Sequence, residues 1–147
     1  MPVAPVQLAR LQAYVFRCPI ATPVRTSFGT MHDRPAVYVR AEDVDGAVGW
    51  GEIWCNFPSC GAEHRARLLE TVFAPLATSR SFVSAAEAFA WLSERTAVLA
   101  IQSGEHGPMV QVTAGIDLAL WDLCARRGSA RAAGRPGGRQ VSVPVYA

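Results

Sequence analysis

The chain has no lysine: all 14 of its basic residues are arginine. A Schiff-base lysine and a lysine general base are therefore excluded from any chemistry these residues perform by themselves. A Walker phosphate loop is excluded as well, because its closing lysine is missing. Long apolar runs are absent too. No window approaches the roughly 18 consecutive apolar residues of a membrane span, and the opening Met1-Pro2-Val3-Ala4-Pro5 carries neither a basic start nor an apolar run before Arg10. Neither an anchor nor a secretory leader is expected, and a cytoplasmic location follows. Excess charge is slight: 14 arginines against 12 acids leave +2, too little to indicate nucleic acid. There is no Gly-x-Ser-x-Gly elbow, and His32, His64 and His106 have no nearby Ser or Cys in a triad-like setting.

The four cysteines, Cys18, Cys55, Cys60 and Cys124, read as reduced and mostly buried thiols in a chain without a leader. Cys55, Cys60 and His64, completed by Cys18 or His32, have a faint zinc-like spacing. The second close Cys or His couplet of a structural zinc site is missing, so no metal residue is assigned.

What is present is a change of period. Residues 6–17 alternate and end in β-branched and aromatic side chains, which predicts a strand stopped by Pro19 and Pro23. Residues 18–34 are expected to form a long loop. Residues 35–43 and 47–55 form a hairpin in this reading, with Asp45-Gly46 as a type I′ turn. Gly49 and Gly51 share one face of the last strand, leaving room for another backbone or a large side chain to approach.

Helical spacing then predicts helices over 61–77, 84–101 and 107–127. The first is expected to end near Pro75, with Glu63 and Arg67 paired on its wet side. The second opens with the capping box Ser84-Ala85-Ala86-Glu87 and buries Phe89, Leu92 and Leu99. The third is apolar on nearly every side from Ala114 to Leu123, which makes it central. Asp117 on it must find a partner or shift its pKa; a structural acid capping a loop or meeting an arginine is favoured over a catalytic one. Asp122 is placed to pair with Arg126. No acid follows Asp122, whereas Arg126, Arg127, Arg131, Arg135 and Arg139 do. A solvated connector is preferred over a phosphate-binding tail, because no aromatic residue is interleaved.

The fold class expected is α+β, a three-stranded antiparallel meander followed by a helical bundle. Two segments carry recognition chemistry: Thr22 to His32, and the aromatic loop of residues 54–59. The candidates for contact with a substrate are Thr22, Arg25, Phe28, His32, Trp54, Asn56 and Phe57, an aromatic and polar set suited to closing over a pocket. The competing reading is that Trp54 and Phe57 simply cover the junction of sheet and helices.

The series Gly49-Trp50-Gly51-Glu52, Gly61-Ala62-Glu63-His64, the run from Ala114 to Arg126, Gly137-Gly138 and Val143-Pro144-Val145-Tyr146-Ala147 resembles the N-terminal part of the mandelate racemase and muconate lactonizing enzyme group of the enolase superfamily. The resemblance implies a capping domain over 1–127, an Arg- and Gly-rich connector over 128–142, whose residues 128–136 stand where members usually carry an apolar segment, and the first strand of a TIM barrel over 143–147. It also implies that the two recognition segments close over the barrel and select the substrate. In such enzymes a Lys or His base removes a proton α to a carboxylate, and Mg²⁺ holds the enediolate. Those groups stand on later barrel strands, so no catalytic or metal residue is carried over and no cofactor is expected in this chain. The implied partners are a small carboxylate or acid sugar once a barrel is supplied, and a second copy or a separate barrel chain. Neither nucleic acid nor membrane is among them.

Overall fold

The computed structural model describes residues 5–128. The connector and the strand expected at 143–147 lie outside the described residues. The architecture is α+β. Strands β1 (Val6–Thr26), β2 (Gly29–Asp43) and β3 (Val48–Ile53) form an antiparallel meander, followed by helices α1 (Gly61–Leu68), α2 (Ala74–Thr78), α3 (Ala85–Ser103) and α4 (His106–Arg127). A two-residue strand, β4 (Ser81–Phe82), pairs with the start of β1, so the sheet order is β3-β2-β1-β4.

The long loop expected at 18–34 is instead an arm of the β1–β2 hairpin. Pro19 and Pro23 do not end β1; they flank a register shift between Pro19 and Val24, after which pairing resumes to Thr26 and Gly29. A proline that cannot donate to the ladder is tolerated where the ladder is already interrupted. At the tip the Thr26 hydroxyl accepts from the Phe28 amide (3.2 Å), and Gly29 adopts a φ of 137°. The β2–β3 turn also differs from the type I′ expectation. It is closed one residue earlier, by Gly46 N–H to Asp43 O (3.1 Å) and Asp43 N–H to Ala47 O (3.0 Å). Gly46 takes a φ of 84° at its end, the form of a three-residue loop.

The first predicted helix is continuous in outline but changes pitch. A π-turn, Leu69–Phe73, separates α1 from α2, so Pro75 sits in the first turn of a new segment, where its missing N–H is harmless. Glu63 pairs with Arg17, not with Arg67. The capping box is present in altered form: the Ser84 hydroxyl accepts from Glu87 N–H (3.1 Å), while the Glu87 carboxylate accepts from Val83 N–H (2.6 Å). The buried stripe of α3 is Ala85, Ala88, Leu92, Thr96 and Ala100, with Phe89 and Leu99 outside it.

The core lies between the inner face of the sheet and the helices. Val37, Val39 and Ile53 meet Phe73, Ile116 and Leu120 there, all fully buried or nearly so. As expected, α4 is central, and its backbone rests on the glycines of β3. A Cβ on Gly51 would stand 2.1 Å from Gly115 O, and one on Gly49 2.1 Å from Ala119 O. The Asp122 carboxylate fixes that contact at the sheet edge by accepting from Trp50 N–H (2.9 Å) while also pairing with Arg126 (2.7 Å).

Asp117 is half-buried on α4 and, among the described residues, meets neither a loop end nor an arginine. Burial raises its pKa, opposed by a hydrogen bond from the Trp121 side chain. A raised acid stabilises the fold in its protonated form, and that contribution is lost as pH rises through the raised folded value. Asp117→Asn is therefore expected to melt higher than the parent at neutral pH. The gap should close on acidification toward the ordinary aspartate pKa of about 4, as thermal melts across that range would show.

Candidate functional site

Four of the seven candidates meet at one cavity. Phe28 and His32 from the hairpin arm face Asn56 and Phe57 from the β3–α1 loop across a volume of about 390 Å³. The Phe28 and Phe57 rings lie 6.1 Å apart at 46°, within the range of a favourable aromatic pair. Phe28 is 84% exposed at the tip of the arm. Thr22, Arg25 and Trp54 do not line the cavity, and all three are exposed. Thr22 lies in the interrupted part of β1 and Arg25 pairs with Thr30 just before the tip, whereas Trp54 leaves β3 half-exposed.

The residue that organises the cavity is one the sequence reading passed over, Arg17. Its Nε and Nη2 donate to the two Glu63 carboxylate oxygens (2.8 and 2.7 Å), Nη1 donates to Asp33 (3.0 and 3.1 Å), and Nη2 also donates to Ser59 O (2.6 Å). Its hydrogen bonds to Glu63 and then Asp33 hold the guanidinium still further above its ordinary pKa, and the same contact pulls the Glu63 carboxyl down. The only available signal was position, since Arg17 ends the alternating stretch of β1; its partners lie 16 to 46 residues away in sequence.

Beneath the loop a second arginine is buried. Arg65 donates to Gln111 Oε1 (2.7 Å), Gly61 O (2.9 Å) and Phe57 O (3.4 Å), and burial lowers its pKa. Neutral acceptors thus meet one N–H of each of its three nitrogens, which offsets part of the cost of burying the cation. The neighbouring Cys55 is buried, which pushes its thiol pKa up. Cys60 is exposed, and His64 lies 2.6 Å from Glu105. Cys60 and His64 line one shallow groove from which the buried Cys55 is absent, and among the described residues no three His, Cys, Asp or Glu side chains are placed to hold a metal ion.

With this geometry the chain can be set beside known proteins. Residues 10–132 match the family described as "Mandelate racemase / muconate lactonizing enzyme, N-terminal domain". The chain belongs to this family. A solved mandelate racemase/muconate lactonizing enzyme from Bordetella bronchiseptica RB50 is 61% identical, with a TM-score of 0.77 over 85% of this chain and 31% of that one. A racemase from Streptomyces coelicolor A3(2) with bound magnesium shares the fold at 23% identity and a TM-score of 0.70, over 82% of this chain and 32% of that one. The o-succinylbenzoate synthase of Bacillus subtilis (strain 168) is 25% identical over 146 residues, 95% of this chain and 36% of that protein. The chain thus spans about a third of the length of these relatives.

For a mandelate racemase type domain, the donor set decides what the cavity can hold. Among the described residues Asp33 is the one carboxylate that lines it, and Asp33 and the neighbouring Glu63 are both turned onto Arg17. The described residues therefore do not make a Mg²⁺ site. Arg126 and Arg127, the first arginines of the basic run, are likewise engaged, with Asp122 and with Asp43 and Asp45; the later ones lie outside the described residues. No helix among the described residues is long and apolar enough to cross a membrane.

Proposed function

We propose that this chain is the substrate-selecting cap of an enzyme that removes a proton α to a carboxylate, an acid-sugar dehydratase, racemase or cycloisomerase, and that it is inactive without a barrel. The supporting observation is the cavity in which Phe28 and His32 face Asn56 and Phe57. Two segments far apart in sequence supply apolar area and a few polar groups on one rim, the composition of a small-molecule wall. In this reading the cap's work is steric and orienting: the aromatic pair excludes water, and His32 and Asn56 meet polar groups of the substrate away from the reacting carbon. The proton-abstracting base and the Mg²⁺ that stabilises the enediolate are assigned to the barrel.

The test is a graft. Residues 10–128 replace the matching part of the Bordetella bronchiseptica relative, and exchange of the α-proton with D₂O is followed for a panel of α-hydroxy and sugar acids with Mg²⁺ present. The graft is expected to exchange and the 147-residue chain alone is expected not to. Exchange by the chain alone, or a folded graft that accepts no acid of the panel, overturns the proposal.

A second reading is favoured by a different surface. The outer face of the sheet carries Tyr14 against Trp50 (6.0 Å) and Phe16 against Tyr38 (5.8 Å), all exposed, and Leu118 and Trp121 of α4 are exposed as well. An exposed apolar row of this kind suits a protein partner, such as a separately encoded barrel. Co-purification with a barrel polypeptide supports it, and a monodisperse monomer that leaves added barrel unbound counts against it.

A further inference from the structure

We propose that Arg17 is a positioning residue that joins the hairpin arm and the aromatic loop into one body, so that the two walls of the cavity keep a fixed spacing and open only together. The argument begins with topology. Arg17 stands on β1 opposite Pro35, and Asp33 lies two residues earlier on β2, toward the tip of the arm. Its side chain leaves the ladder, crosses to the β3–α1 loop at Ser59 and reaches the first turn of α1 at Glu63. One planar group therefore contacts both hairpin strands, the loop and a helix.

The geometry suits a clamp better than a ligand contact. Nε and Nη2 meet Glu63 side-on as a fork, while Nη1 is given to Asp33. Each nitrogen is engaged, and the two carboxylates offset the cation, so little of Arg17 remains for a substrate anion. Charge-assisted, bidentate bonds of this kind impose orientation as well as energy. The loop is also gripped from the helix side, where Arg65 binds the carbonyls of Phe57 and Gly61. Alternate carbonyls at 57, 59 and 61 are thus held by two guanidiniums from different elements. At the exposed tip the Phe28 ring lies 6.1 Å from that of Phe57 on the clamped loop, so the arm wall meets the loop wall directly as well.

The importance of this spacing for selection rests on the cap reading, but the clamp is measured without barrel or substrate. Failure of one is therefore distinguishable from failure of the other. The experiment is residue-resolved amide exchange on the full chain for the parent, Arg17→Lys, Arg17→Met and Asp33→Asn. In both Arg17 variants exchange should accelerate by about tenfold or more, the signature of local opening. The acceleration should cover residues 29–34 and the Gly61 amide, which donates to Pro58 O, while α3 amides keep their protection. Lysine should not rescue, since an ammonium lacks the fork. Adding Asp33→Asn to Arg17→Lys should produce no further change. If Arg17→Met does not fold, the lysine and asparagine variants carry the test. Acceleration in one segment only, a uniform loss of protection across the whole domain, or full rescue by lysine overturns the proposal.

Discussion

Gly51→Ala is expected to destabilise the domain by at least about 3 kcal/mol, the upper part of the range for overpacking a filled core. The added methyl would stand 2.1 Å from Gly115 O and 2.7 Å from Ala119 N. Both are backbone atoms of α4, so relief requires the helix to move away from β3 as a unit. Doing so would also pull Asp122 from Trp50 N–H and loosen Ile116 and Leu120, which are buried against the sheet. Gly49→Ala should behave alike, because its Cβ would meet Ala119 O and Leu123 N at 2.1 and 2.4 Å. Gly107→Ala is the control. Nothing lies within 4 Å of its Cβ position in the first turn of α4, and alanine there should be neutral or stabilising by up to about 1 kcal/mol. Urea unfolding of the three variants separates close approach from helix propensity.

Asp43→Ala is expected to cost about 3–5 kcal/mol, the usual result of removing one member of a buried ion pair. The Asp43 side chain is fully buried, with Oδ2 2.6 Å from Arg127 Nε. Its Oδ1 accepts from Asp45 N–H (2.9 Å) and Ala47 N–H (2.8 Å), which folds the β2–β3 turn around the carboxylate. Arg127 extends the tie to Asp45 and to Pro5 O. One carboxylate therefore fixes the turn, the end of α4 and the start of the sheet. Arg127→Ala should cost a comparable amount. The double variant should lose less than the sum of the two, since each single change strands the other's partner. Additive losses in urea unfolding would show that the pair is not a unit.

Both sites show what local sequence reveals. The glycines at 49 and 51 declared a close approach through their shared face, and the apolar run of α4 declared a central helix; that the second makes the first is seen only in the fold. Ser84 and Glu87 announced a helix start for the same reason, because capping is decided within four residues. The hairpin arm was hidden because Pro19 and Pro23 were read as stops, whereas pairing to β2 on either side of the bulge outweighs their local preference. Arg17 was hidden for a stronger reason. Local rules offered Glu63 the partner Arg67 one turn away, but the folded chain brings it a guanidinium from β1 that completes a fork. On α3 the large residues Phe89 and Leu99 stand outside the buried stripe, which Leu92 shares with Thr96 and three alanines, so size alone does not indicate burial.

The candidate site was legible as two segments and not as a constellation. Phe28, His32, Asn56 and Phe57 fall at the cavity because they occupy the tip of the arm and the middle of the loop. Arg25 falls outside it because pairing with Thr30 fixes where it stands, and Thr22 because it lies in the unpaired bulge between Pro19 and Val24.

The most direct measurement of the central claim is the ratio of kcat/KM for two acids that share the α-carbon chemistry and differ at the far end, compared between the grafted enzyme and its Phe57→Ala variant. A wall that selects substrate should change that ratio by about tenfold or more while α-proton exchange persists. An unchanged ratio, whether activity is kept or lost equally for both acids, would contradict the assignment of this domain as the part that chooses the substrate.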